Sequence, residues 1–195
     1  MKKHIITIAG KPGSGKSSTA NILAERLGYA RASTGNFMRQ IAINRGITLE
    51  ELTKIAQNDP SVDGELDGHN KEVANTENVI LDAHIGFHFI PDSFKVFLEI
   101  DHRVAAKRIL LNASNNPLRK SEARYEFTSE ESVVKSIDTR LATDRIRYKK
   151  LYGIADHTAH ENFDLVIDTS APEYDEKIEK VAAKIQEEYE KWLLK

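Results

Sequence analysis

The chain has 195 residues, 40 % hydrophobic and 30 % charged, which suits one domain or one core with small inserted subdomains. Its 28 basic residues nearly balance 30 acidic ones, for a formal net charge of −2, so no global basic field favours nucleic acid or an anionic membrane. There is no cysteine, which excludes disulfides, thiolate catalysis and zinc–thiolate sites, and the seven histidines show no close ligand spacing such as His-Glu-x-x-His.

At the start, Met1-Lys2-Lys3-His4 is followed by a short apolar run, Ile5 to Ala9. It is too brief for a secretory leader, and no run approaches the ~18 apolar residues of a membrane span. A cytoplasmic protein is the expectation. The segment His4 to Ala9 is β-branched and reads as a buried strand. Residues 16–27 put Ala20, Leu23, Ala24 and Leu27 on one face of a helix, which Gly28 caps. Tyr29 to Ala32 is a second short strand. Residues 35–45 and 48–57 read as two helices broken at Gly46, with Thr48 and Glu51 as a capping box.

Asp59-Pro60 starts another helix, running to Ala74. Asn78 to Asp82 is the clearest central strand; Lys95 to Ile100 is the next, and Asp101 caps the helix after it. Residues 112–128 are polar and weakly periodic and read as a mobile loop. Ser129, Glu131 and Ser132 open a long helix toward Tyr152. Phe163 to Asp168 is the last strand and Glu173 to Leu194 the last helix. The Tyr189, Trp192, Leu193 and Leu194 cluster of that helix is either a packing face or an oligomer contact. Strands alternating with helices imply an α/β fold with a parallel sheet, helices on both faces and right-handed crossovers. Ligands on such a sheet sit at the carboxyl ends of the strands. Residues 10–17, Asp82 and Asp168 all fall at such ends.

Gly10, Gly15, Lys16 and Ser17 satisfy Gly-x4-Gly-Lys-Ser. The glycines permit positive φ, so backbone N–H groups turn inward and, with a helix N-terminus, bind phosphate oxygens. The whole run Gly10, Lys11, Pro12, Gly13, Ser14, Gly15, Lys16, Ser17 and Ser18 therefore reads as the phosphate cradle of a P-loop NTPase. Lys16 reaches the β- and γ-phosphates of ATP, and Ser17 ligates Mg²⁺.

Two further sets of polar residues suit a second anion. Arg39 follows Gly35 by one helical turn in Ser33-Thr34-Gly35-Asn36-Phe37-Met38-Arg39, and arginine's planar fork matches a phosphate. Arg140, Asp144 and Arg147, at i, i+4 and i+7, share one helical face. Alone, such a stripe is as often a solvated face; beside a phosphate cradle it suits a clamp.

On these motifs the chain resembles the cytidylate kinases, particularly the short archaeal-type form. The resemblance runs through residues 10–17, 33–39, Asn-Val-Ile-Leu-Asp (78–82), Arg-Tyr-Lys-Lys-Leu-Tyr-Gly-Ile (147–154) and Asp-Leu-Val-Ile-Asp-Thr-Ser (164–170). It implies a single P-loop kinase domain over 1–195, with a five-stranded parallel sheet, a helical acceptor-binding insert over 33–75 and a lid over 112–128.

It also implies transfer of the ATP γ-phosphoryl group to a nucleoside monophosphate, CMP or dCMP first among them. Thr34, Gly35 and Arg39 then belong to the monophosphate pocket. Arg140, Asp144 and Arg147 hold the acceptor and the transferring group. Lys16, Arg140 and Arg147 are the catalytic cations, Ser17 is a metal-side residue, and Asp82 sits near Mg²⁺ or the acceptor, with His84 beside it on the acceptor side. The partner expected is the monophosphate substrate alone, with no nucleic acid and no membrane, on a monomer. One departure stands out: the family's Glu/Asp-Gly-Arg at the third strand end reads Asp82-Ala83-His84 here, which alters an acceptor-phosphate contact. Arg119 and Arg124 are candidate lid arginines. The competing readings are a P-loop kinase for another nucleotide or small metabolite and a non-catalytic ATP-binding switch.

Overall fold

The computed structural model describes residues 3–56, 59–115 and 129–195. The elements in order are β1 (Ile5–Gly10), α1 (Lys16–Leu27), β2 (Ala30–Ser33), α2 (Thr34–Asn44), α3 (Leu49–Ala56), α4 (Pro60–Ala74), β3 (Val79–Asp82), α5 (Gly86–Phe89), β4 (Phe94–Glu99), α6 (His102–Asn115), α7 (Glu130–Tyr152), β5 (Leu165–Asp168) and α8 (Ile178–Leu193). The five strands form one parallel sheet in the order β2-β3-β1-β4-β5. β1, with the most β-branched sequence, lies at the centre and is buried along its whole length.

Alternation along the strands sorts the core into two layers. Ile6, Ile8, Ile80, Val96 and Leu98 face α1 and α8, where Leu23, Val181, Ile185 and Tyr189 close a fully buried cluster. Ile5, Val79 and Leu81 face the other side, with Val73 of α4 and Ile90. Burying each Val, Leu or Ile side chain of this kind contributes about 1.5–3 kcal/mol relative to exposure. The aromatic cluster on α8 is thereby a packing face: Tyr189 is buried and Trp192 and Leu193 pack on the same core, while Leu194 stays exposed. Helices α2 to α4 carry a separate small core of Ile41, Ala42, Leu52, Ala56, Val62 and Leu66.

Helix ends follow local chemistry. Gly28 and Gly153 close α1 and α7 in the left-handed region, and Ser129 with Ser132 forms a capping box at the start of α7. The Thr48/Glu51 box is present at α3 as well.

Two expectations need correction. Residues 112–115 are not loop but the last turn of α6; the remainder of the expected lid, with Arg119 and Arg124, lies outside the described residues. The last helix starts at Ile178 rather than Glu173, since Pro172 begins a run of turns and Glu176 takes a φ of 56°. The one-turn α5 follows Asp82-Ala83-His84-Ile85 and is too short to leave a periodic signature.

Gly10 has a φ of 153°, and a Cβ there would lie 2.5 Å from the Leu98 carbonyl oxygen. Gly10→Ala should therefore destabilise the fold by at least about 1–3 kcal/mol, measured by urea denaturation monitored by circular dichroism. Wild-type stability in that variant would contradict the close β1–β4 approach.

Candidate active site

The loop from Gly10 to Gly15 joins the central strand to α1. Gly13 and Gly15 take φ values of 82° and 88°, and Gly15 itself is the N-cap of α1. No side chain caps this helix and no acid lies in its first turn, so its N-terminal amides and positive dipole end are available to an anion. Lys16 Nζ curls over the loop, donating to the Gly10 carbonyl at 2.8 Å and the Lys11 carbonyl at 3.1 Å. Lys11 pairs with Glu99 at the end of β4. Ser14 is fully buried, whereas Ser17 and Ser18 face solvent at the head of α1.

Ser17 Oγ donates to Asp82 Oδ2 at 2.7 Å across the ends of β1 and β3. Asp82 is 7 % exposed and also receives Arg31 from β2 at 3.3 Å. The two oxygens suit a hard cation. Mg²⁺ holds oxygens at ~2.0–2.1 Å in an octahedron, which sets neighbouring ligands ~2.9 Å apart. Ser17 and Asp82 already stand near that separation and could hold Mg²⁺ between them or through its waters.

Thr34, Gly35 and Arg39 sit on the first turns of α2, whose N-cap is Ser33. Thr34 Oγ1 donates to Asn70 Oδ1 of α4 at 3.0 Å, and Arg39 bonds Asn36 Oδ1 at 2.7 Å. Phe37 stacks on His69 of α4 with centroids 4.1 Å apart.

The α7 residues are drawn together as their spacing implies. Arg147 forms an ion pair with buried Asp63 of α4, and Tyr152 donates to Asp67 at 2.7 Å. Arg140 contacts Asp144 at 3.8 Å and donates to His84 Nε2 at 3.4 Å. Burial holds the His84 imidazole well below its usual pKa, reinforced by the charges of Lys16, Arg140, His157 and Arg147. His157, in the loop after α7, is likewise pushed down by burial, against the pull of Asp144 and Asp156. His84 and His157 meet edge-to-face at 6.3 Å, and Tyr148 covers His157 at 5.0 Å.

Sequence reading missed Arg31, Asp63, Asp67, Asn70 and His157. Asp63, Asp67 and Asn70 did carry a signal, since they repeat on α4 the i, i+4, i+7 spacing of Arg140, Asp144 and Arg147. A second cleft of about 530 Å³ opens at the ends of β4 and β5, lined by Lys11, Asp101, His102, Arg103, Asp168 and Ser170.

Comparison with known proteins places the chain in a family. Residues 6–132 match a family model described as an AAA domain. A cytidylate kinase of Methanocella arvoryzae is 38 % identical over 167 residues, covering 85 % of this chain and 87 % of that one. An S-adenosylmethionine-dependent nucleotide dehydratase of Lacinutrix mariniflava is 35 % identical over 97 % of this chain but only 36 % of its own length. Among solved structures, a shikimate kinase of Bacteroides thetaiotaomicron superposes with a TM-score of 0.65 over 95 % of this chain and 98 % of its own, at 16 % identity, a likeness of fold. The phosphate cradle, the opposed arginine stripe and near-full-length similarity lead to one conclusion: the chain belongs to the cytidylate kinase family, built on an AAA-type P-loop domain.

Proposed function

We propose that the protein transfers the γ-phosphoryl group of ATP to a nucleoside monophosphate, CMP or dCMP before others, giving the diphosphate and ADP. The observation that carries this reading is that Lys16 lies over the glycine loop, Ser17 at the head of α1 bonds Asp82, and Arg140 of α7 reaches His84, two residues beyond Asp82, at 3.4 Å. The phosphate cradle and α7 thus both reach the end of β3, where a donor triphosphate and an acceptor phosphate would meet. A switch module needs no such second set.

ATP lies with its phosphates on the Gly10–Gly15 loop and its base toward the cleft beside Lys11, Asp101 and Ser170. Lys16 exchanges the Gly10 and Lys11 carbonyls for phosphate oxygens. Mg²⁺, when bound beside Ser17 and Asp82, neutralises phosphate charge. On the other side Arg39 and Arg140 draw the acceptor phosphate, and Asp63 keeps Arg147 oriented toward it. An ionised monophosphate oxygen is already nucleophilic, so its bond to the γ-phosphorus forms as the β–γ bridge breaks without a general base. Catalysis is then positioning and charge neutralisation. The name of the Methanocella relative favours a cytidine acceptor. The enzyme works as a monomer in the cytoplasm; Thr34, Gly35 and Asp144 complete the acceptor side, over an insert spanning 33–75.

Coupled ADP production with CMP, dCMP, UMP, AMP and GMP tests the assignment; acceptor-dependent turnover is expected with CMP or dCMP, and a rate no higher than ATP hydrolysis with all five would overturn it. Lys16→Ala should lower kcat by about 100–1000-fold, comparable to removing one transition-state oxyanion donor, and a near-normal kcat would remove Lys16 from the chemistry. Arg39→Ala should raise the acceptor KM by roughly 10-fold or more, as expected for a lost hydrogen bond to a charged group, while leaving the ATP KM within about 2-fold; equal effects on both would place Arg39 elsewhere.

A further inference from the structure

Two residues beyond Asp82, His84 lies beside Asp144 and His157. His84, Asp144 and His157 each offer a ligand atom, and these atoms lie within 4.8 Å of one another. His157 is 2 % exposed, and neither of its ring nitrogens meets a hydrogen-bond partner among the described residues. Buried polar atoms left in this state are uncommon, and an ion is one recognised way of satisfying them. Two imidazoles and one carboxylate form the three-ligand set of an open zinc site, with a fourth position left for water.

From this geometry we infer a binding site for a divalent transition metal, Zn²⁺ foremost, held by His84, Asp144 and His157.

Tetrahedral ligands ~2.0–2.1 Å from zinc stand ~3.3 Å apart, so the three atoms need to draw in by up to ~1.5 Å. Side-chain rotation supplies that movement, since His84 and Asp144 are only half-buried. The surrounding cations do not close the site. Arg147 is already matched by Asp63, and the Arg140 side chain, 58 % exposed, can swing from His84 into solvent. Asp144 brings the negative charge. Imidazole nitrogen separates this site from the all-oxygen Ser17/Asp82 pair, which suits Mg²⁺. A metal here would take up Asp144 and displace Arg140, so loading and acceptor binding would exclude each other. That consequence rests on the proposed function; metal binding itself does not.

The test is a chelator-competition titration of the full chain with Zn²⁺ alone, without nucleotide, repeated on His84→Asn, His157→Gln and, as a control, the exposed His88→Gln. Co²⁺ in place of Zn²⁺ reports coordination through its visible d–d bands. The expected result is one Zn²⁺ per chain and four-coordinate Co²⁺ bands. The Kd should rise by more than about 100-fold in both site variants, beyond the loss from disturbing a mere supporting residue, and stay unchanged in His88→Gln. Absence of saturable binding, or equal affinity in wild type and site variants, overturns the site. If circular dichroism shows His157→Gln unfolded, the half-buried His84→Asn decides by the same criteria.

Discussion

The turn from Gly10 to Gly15 constrains everything else in the molecule. A Cβ at Gly10 would strike Leu98 of β4, one at Gly13 would crowd Ala105 of α6 at 3.0 Å, and one at Gly15 would meet Ile178 of α8 at 2.9 Å. Three elements distant in sequence therefore rest on three glycines of one loop. The packing that holds the sheet to its helices is the same packing that turns the loop's amides inward. The phosphate cradle is thus a vertex of the core, held rigid before any ligand arrives, which is the condition for electrostatic preorganisation.

A second relation joins the helical layer to the sheet. Helix α4 presents Asp63, Asp67 and Asn70 at the spacing with which α7 presents Arg140, Asp144 and Arg147. Arg147 meets Asp63, and Tyr152 just beyond meets Asp67. Removing one member of a buried ion pair strands the other charge, so this contact ties α4 to α7 and fixes one arginine's direction. Arg140, with its exposed side chain, keeps the freedom that Arg147 has lost.

Much of this was legible in the sequence because its signals are local. The β-branched run of Ile5 to Ile8, the glycine spacing of the loop, the Ser129 cap and the Arg140/Asp144/Arg147 stripe each declare themselves within a few residues. Asp82 was placed at a strand end by its flanking Val79-Ile80-Leu81. What stayed hidden depends on distant pairing or on structure shorter than one period. Asp63 meets Arg147 across 84 residues. His157 looks like an ordinary loop histidine until α7 folds back beside His84. Helix α5 has four residues and no periodicity to read, and Pro172 moved the start of α8 by distorting the turn before it.

The proposed transfer requires that two phosphate sites, one on the glycine loop and one among the α7 arginines, face each other. Calorimetric titration with a bisubstrate compound, adenosine joined to cytidine through an oligophosphate chain, measures this directly. Facing sites predict that it binds about 10²–10⁴-fold more tightly than ATP or CMP alone, the gain from making the second contact intramolecular. Affinity no greater than that of ATP would show that the two sites do not meet.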